Sequence, residues 1–136
     1  MKIVGIEHIG IAVNDLETAS SFWENILNIL HTHTEDVESE GVSTKIFDTG
    51  KGKIELLDSL DKNSPIHKFL QKRGPGIHHI CLEVDNINNA ISELKKFKID
   101  ILNDSPSIGA EGYKIVFIHP RSTGGVLVEL AEKPAK

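Results

Sequence analysis

Cysteine occurs once in the chain, at Cys81, so no intrachain disulfide can form and a reducing, cytoplasmic setting is expected. Cys81 sits in an apolar run and reads as an inert core thiol. No apolar stretch approaches the roughly 18 residues that a membrane-spanning helix needs, so no membrane partner is expected. Positive charge is short as well. The 15 Lys and Arg stand against 20 Asp and Glu, and a net charge of −5 argues against nucleic acid or an anionic membrane as the main partner. The phosphate-loop spacing is absent, so "TGKGK" (49–53) reads as a hairpin turn, and no Ser/His/Asp nucleophile arrangement stands out. The opening "MKIVGIEHIGIAV" carries one lysine and breaks its apolar run at Glu7 and His8, which reads as a first strand and not as a signal peptide.

What the chain does contain is an internal repeat. "GIEHIGIAVNDLETA" (5–19) and "GIHHICLEVDNINNA" (76–90) match at six of fifteen positions with a constant offset of 71, His8 falling on His79. Each copy is followed by the same succession of elements. Asn14 or Asp15 can cap a first helix carrying Leu16, Ala19, Phe22, Trp23, Ile26, Leu27 and Leu30 at three- and four-residue spacing. Asp85 or Asn86 can cap a second helix, with Ile87, Ala90, Ile91, Leu94 and Phe97 on its inner stripe. Strand-like runs follow at 29–35, 43–49 and 53–58 in the first half, and at 99–102, 113–119 and 125–131 in the second. "KIELL" (53–57) and "VLVEL" (126–130) set Glu55 against Glu129 at an offset of 74, so the second half carries a three-residue loop insertion.

The expectation is one α+β domain spanning 1–136, built from two tandem βαβββ modules that form a curved mixed sheet around a metal cavity. Module one covers about 4–58, a linker helix about 62–74 with its core near 65–73, and module two about 75–131. A lone half of this length would bury only about 60% of its surface, which favours halves that share a core.

Strand alternation sorts the histidines. Ile9, Ile11 and Val13 share one face, and His8, Gly10 and Ala12 share the other. In the repeat, His78, Ile80, Leu82 and Val84 face the helices, while His79, Cys81 and Glu83 face away. Glu55 and Glu129 each lie between apolar neighbours that belong to the opposite face. Four repeat-matched side chains can therefore converge: His8, Glu55, His79 and Glu129. Two imidazoles and two carboxylates suit a divalent transition ion such as Co, Ni, Zn, Mn or Fe, the alternative being four residues on a wet sheet face. A carboxylate on an inward face needs a cation or strong donors. The remaining histidines have no such support: His31 and His33 read as a solvated strand face, His67 as an exposed helix residue and His78 as a core histidine. His119 precedes Pro120 and reads equally as a ligand contact or part of a turn.

These features resemble the vicinal oxygen chelate superfamily (glyoxalase–bleomycin resistance fold), and within it the methylmalonyl-CoA epimerase family. The resemblance rests on "HIGIAVNDLETASSFW" (8–23), "EGVSTKIF" (40–47), "KIELL" (53–57), "SPIHKFLQKRGPGIHHICLEVDNI" (64–87), "IGAEGYKIVFIHP" (108–120) and "GGVLVEL" (124–130). It implies His8, His79 and Glu129 as metal ligands, with Glu55 at a fourth position where members carry Gln or Glu. It implies cobalt first, with Ni, Zn or Mn as alternatives, a homodimer, and a place in propionate metabolism. The implied reaction interconverts (2R)- and (2S)-methylmalonyl-CoA by α-proton abstraction and return through a metal-stabilised enolate, with Glu129 and Glu55 as the proton-transferring pair. Glyoxalase I and a non-catalytic ligand-binding relative are the alternatives within the superfamily. Some relatives place a glutamate three residues after the Gly of the G-V pair; here that position is Thr44, which leaves Glu38 and Glu40 as weaker candidates. Lys114 and His119 are the expected substrate contacts, and Lys68, Lys72, Arg73 and Arg121 are further cations that could meet the CoA phosphates.

Overall fold

The computed structural model describes residues 1–135 and is an α+β fold of mixed parallel and antiparallel strands. It divides into two compact units, one comprising His8–His78 and the other Met1–Glu7 with the chain from His79 onward. No helix among the described residues is long and apolar enough to cross a membrane.

In the His8–His78 unit, β1 (Ile3–Ala12, from His8 on), β2 (Leu30–Val37), β3 (Val42–Asp48) and β4 (Lys53–Ser59) lie in the order β2-β3-β4-β1. β1 runs parallel to β4, and β3 is antiparallel to both β2 and β4. The parallel pair needs a crossover, which α1 (Leu16–Ser21) supplies. Asp15 caps α1, its carboxylate accepting the Glu17 amide at 3.1 Å and the Thr18 hydroxyl at 2.8 Å. Val13, Phe47 and Leu56 form the buried core beneath it, with Ile11, Leu16, Ala19, Trp23 and Ile54 packed around them.

The apolar spacing predicts that this first helix continues past Leu27. Instead, one π-helical turn spans Phe22–Ile26, closed by the Leu27 amide donating to the Phe22 carbonyl at 3.0 Å. The extra residue keeps Trp23 on the core and turns Phe22, Ile26, Leu27 and Leu30 out to solvent. α2 (Pro65–Arg73) falls where the sequence places the linker helix. Ser64 caps it by accepting the Ile66 amide at 3.1 Å, with proline in the first turn where no intrahelical donor is needed.

In the second unit, β5 (Gly76–Val84, from His79 on), β8 (Val128–Glu132), β7 (Lys114–Ile118) and β6 (Ser107–Ile108) lie in that order, with β5 parallel to β8 and α3 (Ile87–Lys96) as the crossover. Asn86, not Asp85, is the cap, accepting the Asn89 amide at 2.9 Å. Ile87, Ala90, Ile91 and Leu94 are buried against Val84, Val116, Ile118 and Leu130. Phe97, expected on that stripe, follows the end of α3 and is 65% exposed.

The expected strand at 99–102 is not formed; only Ile101 makes an isolated bridge, to Ile118, and β6 lies later. Asn103 explains the interruption. Its side-chain oxygen accepts the Phe117 amide at 3.1 Å and its amide donates to the Ser105 carbonyl at 2.7 Å, so a side chain takes the place of a strand partner.

Two expectations follow for stability. Ile87→Ala, which empties a fully buried position, should cost about 2–5 kcal/mol in urea unfolding with an unchanged denaturant slope. Burial raises the pKa of Asp58 above its ordinary 3.8, Asp15 adding to the rise and the Ser59 amide opposing it. The folded state thus holds the Asp58 proton more tightly, and the ionised form opposes folding once the pH exceeds that raised pKa. Asp58→Asn should therefore raise the melting temperature by about 1–3 °C at pH 7, a gain that vanishes as the pH falls to the ordinary carboxylate range.

Candidate metal centre and active site

Register decides which side chains meet. In the first unit Gly10 of β1 is paired with Glu55 of β4, and Glu55 with Ile46 of β3. In the second unit Cys81 of β5 is paired with Glu129 of β8, and Glu129 with Phe117 of β7. Gly10 and Ile46 map onto Cys81 and Phe117 at the repeat offset of 71, so the repeat holds at the level of hydrogen-bonded pairing. The three extra residues fall between β7 and β8, where a 3-10 turn (Pro120–Ser122) takes the place of the short β3–β4 turn.

Each register brings one imidazole to one carboxylate. His8 Nδ1 lies 2.8 Å from Glu55 Oε2, and His79 Nε2 lies 3.1 Å from Glu129 Oε1. All four residues are buried. Phe117 meets the His79 ring edge-on at a centroid distance of 5.7 Å and limits how the imidazole can turn. The donor set fits a divalent transition ion. Two ligand atoms about 2.1 Å from one ion and at right angles are about 3 Å apart, which both pairs satisfy. Buried imidazole and carboxylate donors are also the types such ions select, and a cation would offset the cost of desolvating each carboxylate.

The other histidines sort as the strand faces require. His78 packs edge-on against Phe69 of α2, centroid to centroid 5.1 Å, so it faces the linker helix and not the Glu55 face. His31 lies 2.7 Å from the Thr34 hydroxyl, and His67 is half-buried on α2. His119 Nδ1 accepts the Arg121 amide at 3.1 Å and so closes the turn that follows it, while Lys114 is exposed on β7. Arg121 pairs with Asp100 on the surface, holding that carboxyl below its usual range. Glu38 and Glu40 lie in a 3-10 turn beyond the end of β2, lining a shallow pocket of about 260 Å³ with Asp61 and Asn63.

Two features escaped the sequence reading. Glu7 is buried and accepts a hydrogen bond from the Tyr113 hydroxyl at 3.4 Å. On β2, His33 Nε2 lies 2.9 Å from Glu35 Oε1. The i, i+2 spacing of the second pair was its one visible signal, and it is a weak one on an outer strand.

Residues 7–117 match the Glyoxalase/Bleomycin resistance protein/Dioxygenase superfamily. The chain is 47% identical over 128 residues to the mitochondrial methylmalonyl-CoA epimerase of Homo sapiens, covering 93% of this chain and 73% of that protein. Among solved structures, methylmalonyl-CoA epimerase from Mycobacterium tuberculosis is similar with a TM-score of 0.94 at 32% identity, covering 98% of this chain and 90% of that one. A variant of the Streptomyces coelicolor methylmalonyl-CoA epimerase in complex with 2-nitronate-propionyl-CoA is similar with a TM-score of 0.92 at 30% identity, covering 98% and 100%.

The opposite orientations of the two adjacent histidines give a direct expectation. His79→Ala should abolish binding of added cobalt, read by elemental analysis after desalting. His78→Ala should keep the metal and lose about 0.5–1.5 kcal/mol of stability with its Phe69 contact. The reverse pattern would refute the placement of these faces.

Proposed function

Because the chain belongs to the methylmalonyl-CoA epimerase family of the glyoxalase/bleomycin resistance/dioxygenase superfamily, an epimerase/racemase family, we propose that it interconverts (2R)- and (2S)-methylmalonyl-CoA at a single divalent metal ion. The observation that carries this reading is the duplicated, register-matched His–Glu pair, His8 with Glu55 and His79 with Glu129. These four residues would hold the ion, cobalt being the first choice and Ni, Zn or Mn the alternatives. When bound, the ion supplies Lewis acidity toward the thioester carbonyl and the free carboxylate of the substrate, which fixes the acyl group and stabilises negative charge.

The chain's own task is proton movement. The α-proton leaves C2, its electron pair delocalises into the thioester as an enolate, and a proton returns to the opposite face. One acid/base is needed on each side. Glu55 and Glu129 are the first candidates, since symmetry-related strands carry them and both are buried. Lys114 and His119 are proposed to contact the CoA portion. A homodimer is proposed as the working form, supported by the exposed apolar residues Ile3, Val4 and Ile6 along the start of β1.

The test is to incubate cobalt-loaded protein with one epimer of methylmalonyl-CoA in deuterated water, with a hemithioacetal assay in parallel. The expected result is racemisation with deuterium at C2 and no thioester formation from the hemithioacetal. Bound metal without racemisation or exchange would overturn the proposal.

A further inference from the structure

The sheet face of the first unit that carries His8 and Glu55 holds a second carboxylate. Reading across the strands, His33 of β2 is opposite Ile46 of β3, which is opposite Glu55 of β4. One step along, Glu35 is opposite Thr44, which is opposite Leu57. Directly paired residues project from the same face, so Glu35 and His33 stand on the face of Glu55, two strands away. At about 4.8 Å per strand and about 3.4 Å per residue, Glu35 lies two strands across and two residues along from Glu55, about 12 Å between backbones.

Chemistry separates Glu35 from its neighbours. Thr44 is buried without a titratable group, and its hydroxyl is committed to the Glu35 carbonyl oxygen at 3.2 Å. Asp48, also on this face, accepts the Gly50 amide at 2.8 Å in the β3–β4 turn. Lys45 and Asp58 alternate to the helix side, where Lys45 reaches the Ser20 hydroxyl at 3.1 Å. The Glu35 carboxylate is 29% exposed and lies 2.9 Å from Nε2 of the more open His33, which gives it a route for exchanging a proton with water.

We infer that Glu35 is the acid/base that serves C2 of the substrate from the side of the first unit, leaving Glu55 as a metal ligand. The inference rests on the epimerase reading and deepens it. In the step assigned here, the C2–H bond breaks as an O–H bond forms on Glu35, and the electron pair moves into the thioester enolate. A proton from an acid on the other side then adds to the opposite face of C2, that acid's O–H bond breaking as the new C–H bond forms. In the reverse direction the two exchange roles, and each re-equilibrates its proton with water between turnovers. At the matching place in the second unit, opposite Ile115, stands Ser107 of β6, a hydroxyl and not a carboxylate.

The experiment compares cobalt-loaded wild type, Glu35→Gln and Glu35→Asp, each given either single epimer in deuterated water, with metal content and melting temperature measured alongside. Glu35→Gln should keep wild-type metal content and lose about 10²- to 10⁴-fold in epimerisation. It should still exchange the α-hydrogen of one epimer, with retained configuration, and not that of the other. Near-wild-type epimerisation in Glu35→Gln, or exchange affected equally for both epimers, would overturn the inference. Should Glu35→Gln fail to fold, Glu35→Asp decides by the same criterion, asymmetric loss supporting the inference and symmetric or absent loss overturning it. Wild-type protein that neither racemises nor exchanges would defeat the epimerase reading itself, a result distinct from failure of Glu35 alone.

Discussion

A glutamate buried on the face of a β-sheet is held there only at the cost of several kcal/mol of desolvation, unless something positive or protic stands beside it. This chain accepts that situation twice, at Glu55 and at Glu129, and answers it both times with an imidazole about 3 Å away. Most of the surrounding architecture serves this arrangement. A parallel strand pair sets the imidazole strand beside the carboxylate strand, a crossover helix makes the parallel pairing possible, and an antiparallel neighbour covers the other side. A slip of one residue in either register would turn the glutamate toward the helices and a leucine toward its histidine.

The same logic explains where the halves are free to differ. Gly10 and Cys81, or Ile46 and Phe117, can exchange size because they flank the pair without forming it. The turn before the last strand can lengthen by three residues because it lies outside the ladder. The acid/base function need not be duplicated either. Glu35 and Ser107 occupy equivalent register positions with different chemistry, which suits a reaction whose two half-steps attack opposite faces of one carbon.

Much of this is legible in the sequence. The repeat of His8 on His79 and of Glu55 on Glu129, combined with strand alternation, separates His79 from His78 and singles out these four residues. That worked because β-strands have a rigid period of two and the modules share a register. Legibility failed where one side chain overrode a pattern. The stripe at Phe22, Ile26 and Leu27 reads as helix, yet a π-helical turn redirects it. The apolar run at 99–102 reads as strand, yet Asn103 supplies by side chain what a partner strand would supply by backbone. Glu35 was invisible for another reason: its position depends on pairing across a hairpin with a bulge near Thr32, and local spacing does not encode that register.

The proposed function requires His8, Glu55, His79 and Glu129 to hold one cation. Anomalous diffraction at the cobalt edge from crystals of the cobalt-loaded protein tests it most directly. The expected result is one anomalous peak per chain, about 2.0–2.2 Å from His8, Glu55, His79 and Glu129 alike. Two peaks, one on each pair, or none at either, would contradict it.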